Sequence, residues 1–162
     1  MKEISYKDLK INPVTLFADS WGELVTGKKG DKVNAMTISW GQIGSLWGHS
    51  SGIPVITVYV RPQRFSKIHL DKEDYFTVCF FDKKYKKELS YLGTHSGKNE
   101  DKIQKVGFSS VSFEDYSYIN EANLVFVCRK LYRQTMKEEC FLDQGVVADC
   151  YPHTRFSRSI HR

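Results

Sequence analysis

The sequence predicts a mainly β fold, a closed antiparallel barrel with a few short helices on its outside. Three observations point there. β-branched and aromatic residues gather in about six or seven short runs, and Phe, Trp and Tyr make up 14% of the 162 residues. The runs do not alternate strictly with helices, as a doubly wound parallel sheet requires. Glycine and proline are spread along the chain without a repeat, a low-complexity stretch or a linker, so a single domain over residues 1–162 is expected.

The elements follow in order. Asn12 is a good N-cap and Pro13 suits the first helical position, so a short helix opens over residues 13–20. Residues 23–26 and 33–40 read as strands around Gly27-Lys-Lys-Gly-Asp31, which has the residues of a hairpin loop. Residues 53–60 are the most β-rich run, with Pro54 near its start and Arg61-Pro62 ending it. Residues 64–70 have helical character, and 75–81 read as a buried strand. Tyr85, Leu89 and Leu92 recur at helical spacing within residues 83–92, and 99–106 form a second short amphipathic helix. A long strand is expected over residues 122–131, with weaker ones at 140–143 and 145–148.

Composition narrows the function. With 41% hydrophobic and 27% charged residues the chain is ordinary globular material. No apolar run reaches the roughly 18 residues of a membrane span, and no signal-peptide pattern opens the chain, so a cytoplasmic protein without a membrane partner is expected. The net charge of +5 is mild, and lysines interleave with acids as on solvated helix faces. That pattern fits a compact anion such as a phosphate rather than a nucleic-acid track. The four cysteines form no CxxC pair, and the histidines show no metal-ligand spacing, so neither a disulfide framework nor a metal site is expected.

Three polar islands interrupt the apolar runs. In Asn34-Ala-Met-Thr-Ile-Ser-Trp40, alternation sets Asn34, Met36, Ile38 and Trp40 on one face and Ala35, Thr37 and Ser39 on the other. That is either a half-buried hairpin strand or a ligand wall of small hydroxyls beside a planar ring. In Tyr59-Val-Arg-Pro-Gln-Arg-Phe-Ser66, arginines and a serine stand where a strand ends and a helix begins, a reasonable phosphate cradle or simply surface arginines at a turn. In Leu92-Gly-Thr-His-Ser-Gly-Lys-Asn-Glu-Asp-Lys102, flexible glycines accompany His95, Ser96, Lys98 and Lys102, all able to hydrogen-bond an anion. Two motif look-alikes fail. Gly22 to Lys29 begins like a nucleotide P-loop but has Lys29 where Ser or Thr must hold magnesium, and Gly48-His-Ser-Ser-Gly52 lacks the helix that follows a nucleophile elbow.

Taken in order with Leu46-Trp47 and Glu121-Ala-Asn-Leu-Val-Phe-Val-Cys-Arg-Lys-Leu-Tyr132, these islands resemble the flavin reductase-like family of FMN-binding split barrels, on its flavoredoxin-like branch. The resemblance covers residues 12–152. It implies a six-stranded Greek-key split β-barrel, a homodimer and one FMN per subunit. It also implies electron transfer from NADH or NADPH through FMN to a free flavin or an electron-acceptor protein. Carried over by position, Asn34, Ala35, Met36, Thr37, Ser39 and Trp40 line the isoalloxazine and ribityl chain. Arg64 and Ser66 meet the phosphate, and Ser96, Gly97, Lys98 and Lys102 complete the cofactor site. Lys102 is the expected cationic contact. Lys98-Asn99 stands where the family commonly has Arg-Asp, which keeps a charge but loses bidentate geometry. No catalytic acid or base is named, because the hydride chemistry belongs to the flavin. The alternatives are a flavoredoxin-like electron carrier without nicotinamide turnover and a flavin-free binding module.

From His153 the chain departs from the resemblance. Where the family continues with Asp-aromatic-His and a late strand, it reads His153-Thr-Arg-Phe-Ser-Arg-Ser-Ile-His-Arg162. One codon choice for this tail, shifted by one nucleotide, gives Ile-Pro-Asp-Phe-His-Ala-Leu-Tyr-Ile-Gly, which is the family pattern. A frameshifted last segment is therefore expected, with weakened FMN binding or turnover as its consequence. Sequencing the coding DNA decides it.

Overall fold

The computed structural model of the chain describes residues 2–48, 50 and 52–152. The expected frameshifted tail lies outside them. The chain separates into two compact units, the first ending at Arg129 and the second starting at Lys130.

The first unit opens with the expected N-cap. Asn12 Oδ1 accepts from the Val14 and Thr15 amides and starts α1 (Pro13–Thr15), which continues as a wider turn over Leu16–Ser20. Next come β1 (Gly22–Thr26) and β2 (Asn34–Ile38), antiparallel with Leu24 opposite Met36. Gly27, at φ +101°, makes their connection possible, since an added Cβ there would stand 2.8 Å from the Lys32 carbonyl oxygen. A hairpin of β3 (Gly41–Leu46) and β4 (Ile53–Val58) follows, then α2 (Phe65–Lys72) and β5 (Tyr75–Phe80). A 3₁₀ turn (Lys83–Tyr85) leads into α3 (Lys86–Thr94), and then comes α4 (Lys102–Lys105). A short hairpin of β6 (Ser110–Ser112) and β7 (Ser117–Ile119) precedes β8 (Leu124–Arg129).

The main sheet runs β2-β1-β5-β8, antiparallel throughout. Strand alternation gives it two apolar faces. On one, Leu24, Met36, Ile38, Phe76, Val78 and Phe80 pack with Phe17 and with Ile43, Ile56 and Val58 of the β3–β4 hairpin. On the other, Val25, Ala35 and Cys79 pack against Leu89 and Leu92 of α3, Ile103 of α4 and Ile119 of β7. Phe17 lies under Gly41, where an added Cβ would stand 2.3 Å from the ring, and that ring is held edge-on to Phe80 at 5.3 Å. Gly41→Ala is expected to destabilise the protein by about 1–3 kcal/mol, the cost of overpacking a close-packed core. The check is a lower urea midpoint at unchanged m.

The architecture corrects the six-stranded closed barrel. It is mainly β with short helices, but among the described residues the main sheet has four strands and no closed barrel forms. β2 ends at Ile38, Ser39 and Trp40 break the ladder, and β3 pairs with β4 instead of extending the sheet. The strands expected at 140–143 and 145–148 are also absent. In the second unit Glu138–Cys140 form a 3₁₀ turn and Gln144–Cys150 form α5, with Asp143 Oδ1 accepting from the Gly145 amide as N-cap. Within that unit Phe141 meets Tyr151 at 5.7 Å.

Candidate functional site

The three polar islands converge on the start of β2. Asn34 is 3% exposed, and its Nδ2 donates to Ser66 Oγ of α2 at 2.7 Å. Its Oδ1 is buried without a hydrogen-bond partner. Against that oxygen lies Gly97, where an added Cβ would stand 2.1 Å from it. One side chain thus joins the first island to the second through Ser66 and to the third through Gly97. Arg64, the exposed N-cap residue of α2, donates from its guanidinium to the Gly93 carbonyl at 3.1 Å, so α2 and the end of α3 also meet directly.

The loop from His95 to Glu100 has a defined course. Lys102, 4% exposed, donates from Nζ to the carbonyls of Leu92 and His95, the latter at 3.0 Å. It therefore satisfies carbonyls at the C-terminal end of α3, where a cation also complements the helix dipole. Burial lowers the Lys102 pKa, and the charge of Glu23 opposes that shift. Ser96 and Lys98 are exposed, with Ser96 Oγ accepting from the Lys98 amide at 3.3 Å. Tyr91 stacks on His95 at 3.7 Å and donates from its hydroxyl to Glu100 at 2.9 Å.

The remaining candidates spread along β2. Ala35 is buried under α3, and Met36 lies on the opposite, hairpin-facing side of the sheet. Thr37 also faces α3, with its Oγ1 touching both Glu23 Oε1 and the Leu89 carbonyl, so its hydroxyl is already engaged. Ser39 and Trp40 lie exposed beyond the strand, five and six residues along the chain from Asn34. The Arg61 guanidinium sits 5.4 Å over the Trp40 ring. The structure thus groups Asn34, Arg64, Ser66, Gly97 and Lys102 at one end of β2 and leaves Ser39 and Trp40 at the other. That is an elongated arrangement, polar and cationic at one end and aromatic at the other.

Two residues at this site escaped the sequence reading. Glu23 is fully buried, paired across β1–β2 with Thr37, and its Oε2 has no partner. Desolvation raises its pKa to about 8 against the pull of the Thr37 hydrogen bond and of Lys102. Its signal was a carboxylate inside an otherwise apolar strand. Lys32 donates from Nζ to the Gly97 carbonyl at 2.6 Å, and nothing in its sequence context announces that.

Among the described residues, no group of three or more His, Cys, Asp or Glu could hold a metal ion, and no helix is long and apolar enough to cross a membrane.

No family model and no curated sequence matches the chain. Solved structures do. The flavoredoxin of Desulfovibrio vulgaris (Miyazaki F) superposes with a TM-score of 0.61 at 19% identity, covering 83% of this chain and 68% of its own. An FMN-binding domain of a flavin reductase-like enzyme from Shewanella baltica gives 0.60 at 13% identity, over 75% and 62%. An FMN-binding protein from Thermus thermophilus, solved with p-hydroxybenzaldehyde, gives 0.61 at 19% identity, over 84% and 73%. The chain spans about two thirds of the length of these proteins. The likeness at such identities is one of fold, and the fold is that of the flavoredoxins and FMN-binding, flavin reductase-like split-barrel proteins.

Proposed function

We propose that this chain binds FMN and works as a flavin oxidoreductase of the flavin reductase-like kind. The observation that carries the reading is the unpartnered, buried Asn34 Oδ1 against Gly97, flanked by Ser66 and Arg64. A buried acceptor left unpaired costs about 1–3 kcal/mol, and a ligand hydroxyl or N–H would remove that cost. The absence of a Cβ at Gly97 is what lets the 95–98 loop lie against Asn34 Oδ1. Arg64, Ser66 and the 95–98 loop would hold the phosphate, while Met36, Trp40 and the backbone of β2 would face the ring system. Lys102 would act here by holding the carbonyls of α3 and the loop. When bound, FMN supplies the hydride and electron chemistry, and this chain supplies position and charge. NADH or NADPH as donor, a free flavin or protein as acceptor, a homodimer and a cytoplasmic location complete the reading.

The test is a fluorescence titration. FMN is expected to bind at least tenfold more tightly than riboflavin, since a charge-assisted hydrogen bond is worth about 1.5–3 kcal/mol and only FMN offers the phosphate. Equal affinities would remove the phosphate assignment. A colourless protein that takes up neither flavin would leave the binding-module reading.

A flavoredoxin-like carrier is the second reading, favoured by the flavoredoxin among the structural neighbours. Anaerobic mixing of the FMN-loaded protein with NADH or NADPH separates the two. Rapid bleaching of the flavin supports the reductase, and a flavin that stays oxidised until a protein donor is added supports the carrier.

A further inference from the structure

The loop beside Asn34 is gripped by a second lysine, from outside its own region of the chain. Lys32 lies in the β1–β2 connection, two residues before Asn34. Its Nζ donates to the Gly97 carbonyl at 2.6 Å and lies 3.4 Å from the Glu100 carbonyl. Lys102, by contrast, is buried and closes the end of α3. Lys32 is exposed, so nothing in the core requires it.

The grip has a directional consequence. In a trans peptide the C=O and the next N–H point opposite ways. With the Gly97 carbonyl drawn to Lys32, the Lys98 N–H is turned away from it, where its contact is the 3.3 Å approach to Ser96 Oγ. The same bond keeps Gly97 against Asn34 Oδ1, the buried acceptor without a partner. Two observations therefore meet at one peptide, a buried acceptor without a partner and a cation that sets the orientation of the loop.

We propose that Lys32 is a positioning residue for the phosphate of the bound flavin nucleotide. It fixes the Gly97–Lys98 peptide beside Asn34 and adds one positive charge to that end of the site. This rests on the FMN reading given above and deepens it, because it assigns discrimination between FMN and riboflavin to a residue outside the three polar islands.

The test compares wild type, Lys32→Gln and Lys32→Arg by titration with FMN and with riboflavin, alongside amide exchange of the 95–100 segment without ligand. The expected result is that the ratio of FMN to riboflavin affinity falls about tenfold in Lys32→Gln, that exchange at Lys98 speeds up, and that Lys32→Arg restores most of both. A merely structural lysine would weaken both ligands alike and leave the ratio where it was, and that outcome overturns the proposal. A Lys32→Gln protein indistinguishable from wild type overturns it as well. Wild type that binds FMN and riboflavin equally would instead bring down the phosphate reading, and this proposal with it.

Discussion

Glu23→Gln is expected to make the protein more stable at pH 8 and to flatten its pH dependence. Glu23 is fully buried between β1 and α3, and its Oε1 shares the Thr37 hydroxyl with the Leu89 carbonyl. A hydroxyl has one proton to give. The Thr37 proton cannot serve both acceptors at once, so its hydrogen bond offsets the burial of Glu23 only in part. Burial wins over that bond and over the charge of Lys102 and lifts the Glu23 pKa from 4.5 to about 8. The folded protein therefore holds a proton that the unfolded chain releases between those two values. Stability is fully present below pH 4.5 and falls as the pH rises through 8. Integrated from pH 5 to pH 8, the loss is about 3–4 kcal/mol. Glutamine has no proton to lose, so the variant escapes that slope. Urea unfolding of both proteins at pH 5 and pH 8 measures it. Parallel pH profiles would mean that Glu23 is ionised in the native state.

Gly97→Ala is expected to damage the candidate site more than any change of charge there. Its Cβ would stand 2.1 Å from Asn34 Oδ1, a distance no real contact tolerates. Asn34 cannot simply swing away, because it is buried and bonded to Ser66. Either that bond breaks or the loop moves outward and strains the bonds from Lys32 and Lys102. Both routes cost about 1–3 kcal/mol of stability and displace Asn34 or the loop from the arrangement the proposed site depends on. FMN affinity should fall at least tenfold, with the sheet intact by far-UV circular dichroism. Undiminished FMN affinity would show that the loop does not border the ligand.

What the sequence disclosed follows from how local each cause is. The β1–β2 hairpin, β5, α2 and the Asn12 cap rest on alternation, turn residues and a side chain bonding its own backbone, all visible within a few positions. β3 was missed because Gly41, Gly44 and Ser45 carry no strand signature, and its ladder exists only through pairing with 53–58. Residues 145–148 looked like a strand for Val146 and Val147, but the Asp143 cap starts a helix across them. The three polar islands of the candidate site were legible as separate stretches of sequence. Their meeting point at Asn34, and the burial of Lys102, depend on packing between segments far apart in the chain. Glu23 was overlooked for the same reason. Alternation alone would turn it outward, and α3, far along the chain, is what covers it.

The strand order β2-β1-β5-β8 has a kinetic side. Its one hairpin turn, between β1 and β2, is local, but Gly22 must find Phe80 and Val78 must find Phe126 before the central ladder exists. Such distant pairings make folding slow, on the order of milliseconds to seconds. Asn34, Ser66 and Gly97 come from three segments that share a location only after that closure. A ligand held by all three has nothing to grip in the early chain. Its binding energy therefore lengthens the lifetime of the finished protein by slowing unfolding, and leaves the rate of folding as it was.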